Sequence, residues 1–98
     1  MRKFVIEREI DGVGKLNDVE LCGASATSNR ALAKLAPGIQ WVHSYVTADR
    51  TFCVYMAEHE ALIQEHAKLS GFPASRVYEV TAMFDPSTAG NPGLAKVA

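Results

Sequence analysis

One imidazole, one thiol and two carboxylates, His43, Cys53, Glu7 and Glu79, are spread along this chain. Together they form the mixed N, S and O donor set that borderline divalent metals accept. They are distant in sequence, so only a fold that brings four strands of one sheet onto one face would gather them. The competing account is structural. His43 would hydrogen-bond a tyrosine hydroxyl or a carboxylate, Cys53 would fill space, and Glu7 and Glu79 would sit in solvent at the rim. Residue types alone weigh toward that account.

The stretch that decides between them is GIQWVHSYVTADRTFCVYM, Gly38 to Met56, which reads as a β-hairpin. Successive strand side chains point to opposite faces, so Trp41, His43 and Tyr45 share one face and Val42, Ser44 and Val46 the other. On the return strand Phe52, Val54 and Met56 form an apolar set opposite Cys53 and Tyr55. A three-residue loop through Ala48-Asp49-Arg50 places His43 opposite Tyr55 and Tyr45 opposite Cys53. A two-residue loop pairs His43 with Val54, and a slip of one residue exchanges the faces of a strand. The three-residue loop is preferred because it joins Val42 and Val46 to Phe52, Val54 and Met56 on one apolar face. Trp41, His43, Tyr45, Cys53 and Tyr55 then share the other, with the aromatic residues as binding-surface candidates.

The elements that must position these residues are marked by local signals. Arg2 to Glu9 alternates Phe4 and Ile6 against Val5, Glu7 and Glu9, a strand with unequal faces. After the turn Asp11-Gly12-Val13-Gly14, Asn17 and Glu20 stand at capping-box spacing, flanked by Leu16 and Leu21. A helix follows, with Cys22, Ala26, Leu32, Ala33 and Ala36 as its core stripe and Asn29 within it, and Pro37-Gly38 ends it. A second helix runs from about Glu58 to Ser70. Gly71 suits its C-terminal left-handed position, and Pro73 forbids continuation. Leu62, His66 and Leu69 lie on its inner side, which makes His66 a partly buried, hydrogen-bonded residue, while His59 is exposed. Arg76 to Phe84 forms the last strand. Residues 1–85 make the domain, and 86–98, rich in Pro, Ser, Thr, Gly and Asn, read as a mobile tail.

The order β-α-β-β-α-β specifies an α+β ferredoxin-like sandwich, a four-stranded antiparallel sheet with both helices on one face and strands one and three central. The open face has no cover from its own chain. Carrying Val5, Glu7, Trp41, His43, Tyr45, Cys53, Tyr55, Glu79, Thr81 and Met83, it is too aromatic to remain in water. A homodimer through that face is the natural solution. An enzyme with a pocket at the same interface and His43 as general base is the alternative.

Composition narrows the rest. The 98 residues support one core, and 48% hydrophobic with 21% charged residues is ordinary for a soluble protein. A net charge of -1 gives nucleic-acid binding no electrostatic support. No apolar run approaches the roughly 20 residues of a membrane span, and the apolar stretch Phe4 to Ile6 is too short for a signal peptide. Cytoplasmic residence is expected. The two cysteines, Cys22 and Cys53, read as reduced thiols, Cys22 as a small buried hydrophobe. Phosphate loops, nucleophile elbows and paired CxxC motifs are missing.

The strings KFVIEREI, SNRALAKL, PGIQWVHSYVT, FCVYMA, IQEHAKLSGFPASRV and the Asp85-Pro86 pair together cover nearly the whole chain. In combination they resemble a bacterial family of small domains of unknown function that includes a nickel-binding, nickel-responsive protein. The resemblance implies a dimeric ferredoxin-like fold and nickel, or another divalent metal such as zinc, as the bound ion. It carries a ligand role to His43, Cys53 and His66, to which the face assignment adds Glu7 and Glu79. The implied function is nickel storage, buffering or sensing.

Overall fold

A computed structural model describes residues 1–91 and 93 of the chain. Four strands and two helices follow the expected order: β1 Arg2–Glu9, α1 Asp18–Leu35, β2 Ile39–Val46, β3 Arg50–Ala57, α2 Glu60–Ser70 and β4 Arg76–Glu79. The strands make one antiparallel sheet in the order β2-β3-β1-β4. The α+β ferredoxin-like sandwich expected from the element order is the fold observed. No helix among the described residues is long and apolar enough to cross a membrane.

Local chemistry sets the helix ends. Asn17 Oδ1 accepts from the Glu20 amide at 2.9 Å and Glu20 Oε1 from the Asn17 amide at 3.1 Å, closing the capping box of α1. Gly71 ends α2 at φ 79°, a conformation that costs glycine nothing. Between the layers Phe4, Ile6, Ile39, Cys53, Tyr55, Ala57 and Ile63 form the core, with Leu32, Leu35, Trp41 and Leu62 against it. Burying each of the larger side chains stabilises the fold by roughly 1.5–3 kcal/mol.

The hairpin differs from the preferred reading. Thr47 N–H and Thr47 Oγ1 both donate to Arg50 O at 2.9 Å, so the turn is the two-residue one, Ala48-Asp49. His43 pairs with Val54, Ser44 with Cys53 and Tyr45 with Phe52. Between Trp41 and His43 the register shifts, with Val42 as the extra residue of a β-bulge, so Trp41 pairs with Tyr55. Trp41, Ser44, Thr51, Cys53 and Tyr55 therefore lie on the helix-covered side. His43, Tyr45, Phe52, Val54 and Met56 lie on the open side.

Three further readings are corrected. The inward stripe of α1 runs through Leu21, Ser28, Ala31, Leu32 and Leu35, while Cys22, Ala26, Asn29, Ala33 and Ala36 are exposed. The leucines, the bulkiest apolar residues of the helix, set its rotation. In α2, Ile63 and His66 are buried and Leu69 is exposed. β4 stops at Glu79 because β1, whose Phe4 pairs with Glu79, begins only at Arg2 and offers little further backbone. A last bond runs from Val80 N–H to Lys3 O. In the expected tail, Asp85 caps a short 3-10 turn, Pro86–Thr88. Residues 92 and 94–98, with the mobility expected of them, lie outside the described residues.

Gly14 fixes the turn to the rest of the sheet. Its amide donates to Ala48 O at 3.1 Å, and a Cβ there would meet Thr47 O at 2.6 Å and Ala48 Cα at 2.8 Å. Gly23, inside α1, has nothing within 4 Å of the same position. Gly14→Ala is expected to destabilise the protein by roughly 1–3 kcal/mol, since backbone must move. Gly23→Ala is expected to stabilise it by about 0.5–1 kcal/mol through helix propensity. Urea unfolding of the two variants checks both signs.

Candidate functional site

The expected ligand residues separate onto two faces. His43 is exposed on the open side, its ring edge-on to Tyr45 at a centroid distance of 5.0 Å. Beside it lies a shallow hollow of about 350 Å³ walled by Lys3, Val5, Val42, Val54, Val80 and Met83. Glu7 belongs to the same side by strand alternation, but it is buried and its carboxylate accepts from Arg50 Nη1. Glu79 lies on the other parity and accepts from Arg2 Nη1 at 3.0 Å. Cys53 is beneath the helices with its Sγ 3.5 Å from Thr51 Oγ1.

Trp41 and Tyr55, expected beside His43 and Tyr45, instead stack in the core at 6.5 Å and 19°. The cause is the Val42 bulge together with the two-residue turn, which rotates β3 against the preferred register. Among the described residues no three His, Cys, Asp or Glu side chains come together closely enough to hold one ion. The donors among the described residues of a single chain do not fit a complete nickel site.

A second constellation lies between the sheet and the helices. Strand alternation carries Arg8 inward after Phe4 and Ile6, and it is 3% exposed. Its Nη1 donates to the carbonyls of Phe72 at 3.3 Å and Pro73 at 2.9 Å, and its Cζ lies 5.9 Å from the centre of the Tyr55 ring. Tyr55 tilts against His66 at 5.2 Å. His66 Nε2 and Ser28 Oγ share a hydrogen bond at 3.1 Å. Arg8 Nη2 and His66 Nδ1 are buried without a hydrogen-bond partner among the described residues. A cavity of about 440 Å³ adjoins the group, lined among others by Arg8, Ser28, Trp41, Cys53 and Tyr55.

Burial, then the nearby Arg8 charge, holds the His66 imidazole down to about 4, against a smaller upward pull from Ser28. Burial also raises the Tyr55 phenol, opposed by Ser28 and Arg8. Both groups are neutral near pH 7. The cluster thus offers a fixed cation, a phenol and hydroxyls, with no carboxylate. Arg8 and Ser28 of this cluster are not among the candidates that the sequence offers. Their signals were a charge in the inward period of β1 and a hydroxyl aligned with Leu21, Leu32 and Leu35.

Because folded His66 takes up its proton near 4 and the unfolded chain near 6.5, the unfolded state binds more protons between those values. The contribution of His66 is therefore complete above about pH 6.5 and is lost as pH falls toward 4. The loss amounts to between about 3 and 4 kcal/mol at most, at about 1.4 kcal/mol per pKa unit. Urea unfolding from about pH 7.5 to about pH 4.5 is expected to be less steeply pH-dependent in His66→Gln than in the unsubstituted protein. Equal slopes would contradict the assignment.

Comparison with known proteins agrees with this architecture. The chain resembles the crystal structure of SCO4226 from Streptomyces coelicolor A3(2) with a TM-score of 0.69. The alignment covers 84% of this chain and 99% of that one at 12% identity, a likeness of fold. No curated protein matches the chain. Residues 4–80 match the family described as nickel responsive protein SCO4226-like. The core, both helices and all four strands fall within or overlap that span, and the chain belongs to the SCO4226-like family of nickel-responsive proteins.

Proposed function

We propose that this chain is a cytoplasmic nickel-binding protein, acting in storage, buffering or sensing, whose metal site is completed between two copies joined through their open sheet faces. The observation that carries the reading is the placement of His43. It is an exposed imidazole on a face whose surroundings are apolar, with Val42 50%, Tyr45 61%, Tyr78 49% and Met83 45% exposed. Such a face is favourably covered by a second copy, and a twofold axis passing close to His43 would bring two of these rings toward each other. Imidazole suits nickel, and a shared site would supply donors that the described residues of one chain do not assemble.

The hollow beside His43 favours one second reading, in which the imidazole serves as general base in a pocket at the same interface. An interface packed solid around His43 would end that reading.

Calorimetric titration with Ni²⁺ and Zn²⁺, alongside the mass by light scattering, tests the proposal. Expected are a dimer, saturable nickel heat at about one ion per two chains, and at least a tenfold loss of affinity in His43→Ala, roughly 1.4 kcal/mol. A monomer, or unchanged affinity in His43→Ala, would refute it.

A further inference from the structure

We propose that the cavity between α1 and the sheet binds a small monocarboxylate with an apolar body, whose carboxylate pairs with Arg8. The argument begins with the charge. A guanidinium keeps its proton at any ordinary pH, so Arg8, 3% exposed, carries a full positive charge into the interior. Among the described residues no carboxylate lies within ion-pair distance of it. Glu7, its neighbour in sequence, points to the other face and is held by Arg50. Two backbone carbonyls occupy Nη1, and Nη2 has no partner among the described residues. A buried cation is ordinarily matched by an anion, and a planar carboxylate is the anion that the guanidinium fork fits.

The cavity supplies the rest of the specification. At about 440 Å³ it has the size of small-molecule sites. Leu16, Leu21 and Phe72 are among its apolar walls, and Ser28 and Tyr55 add hydroxyls near the charge. Among the described residues that line it, Arg8 is the only charged side chain. One positive charge in an apolar chamber selects a singly charged ligand and disfavours inorganic phosphate, whose hydration the walls cannot replace.

Trp41 is the single tryptophan of the chain and lines the cavity, so its emission reports occupancy. The test titrates the full chain with octanoate, 3-phenylpropanoate, octanamide and inorganic phosphate, reading Trp41 fluorescence and heat. Expected is saturable binding of at least one carboxylate, the better of the two naming the apolar body as aliphatic or aromatic. Octanamide and phosphate should bind at least tenfold more weakly than the better acid, and Arg8→Met should abolish the preference for acid over amide.

Arg8→Met carries a folding risk, so Ala24→Leu, at a small half-buried position of the α1 wall, provides a second variant. It leaves Arg8 in place and should weaken the better acid at least tenfold by filling space. The proposal is overturned if no carboxylate saturates, or if octanamide or phosphate binds as tightly as the better acid. It is also overturned if folded Arg8→Met keeps the preference or folded Ala24→Leu binds unchanged. Metal is left out of every arm, so the outcome is independent of nickel binding.

Discussion

The closure of the β2–β3 hairpin is the constraint on which the rest of this molecule depends. Thr47 and Arg50 close a two-residue turn, Gly14 and Ile10 donate to its carbonyls, and Arg50 reaches across to the Glu7 carboxylate. Once that turn is fixed, strand alternation leaves β3 no choice of face. Cys53 and Tyr55 go under the helices and Val54 goes out. The Val42 bulge then lets β2 turn Trp41 inward while keeping His43 and Tyr45 outward. One strand thus sends Trp41 to one side of the sheet and His43 and Tyr45 to the other.

The inward side is unusual for so small a domain because its core includes Arg8, Ser28 and His66 as well as Phe4, Ile6 and Ile63. Polar groups in a core cost stability unless they are paired. Here the pairing is incomplete, with one nitrogen of each of the two larger groups unmatched among the described residues. His66 meets that cost by staying neutral, and Arg8 has no such escape. The unresolved charge beside a cavity is what distinguishes this region from ordinary packing. The outward side is its complement, an apolar and aromatic surface with one imidazole at its centre of interest.

The fold was legible because its signals are local. Asn17 and Glu20 cap α1 by direct reciprocal bonds, Gly71 ends α2, and the order of elements leaves few topologies. The site was legible only in part. Strand alternation puts His43 and Tyr45 on the open face, as observed, but Cys53, Trp41 and Tyr55 lie on the other side, because a turn one residue shorter reverses β3 and nothing in Val42 announces a bulge. The preference for burying Phe52, Val54 and Met56 rested on hydrophobicity alone. The core instead accepts Tyr55 and Cys53 because Arg8 lies over the Tyr55 ring and Thr51 meets the Cys53 thiol there. In α1, Cys22 and Ala26 fit the helical period as well as Leu21 and Ser28 do, and only the packing of the leucines separates the two.

The chain belongs to a nickel-responsive family, and His43 faces outward beside Tyr45 with no two other His, Cys, Asp or Glu side chains gathered to it among the described residues. The most direct measurement of that placement is the absorbance of the protein during titration with Ni²⁺, in the region of thiolate-to-nickel charge transfer. With Cys53 beneath the helices, bound nickel is expected to give no band that depends on Cys53, and Cys53→Ser is expected to bind like the unsubstituted protein. A thiolate band that disappears in Cys53→Ser would contradict the opposed placement of Cys53 and His43.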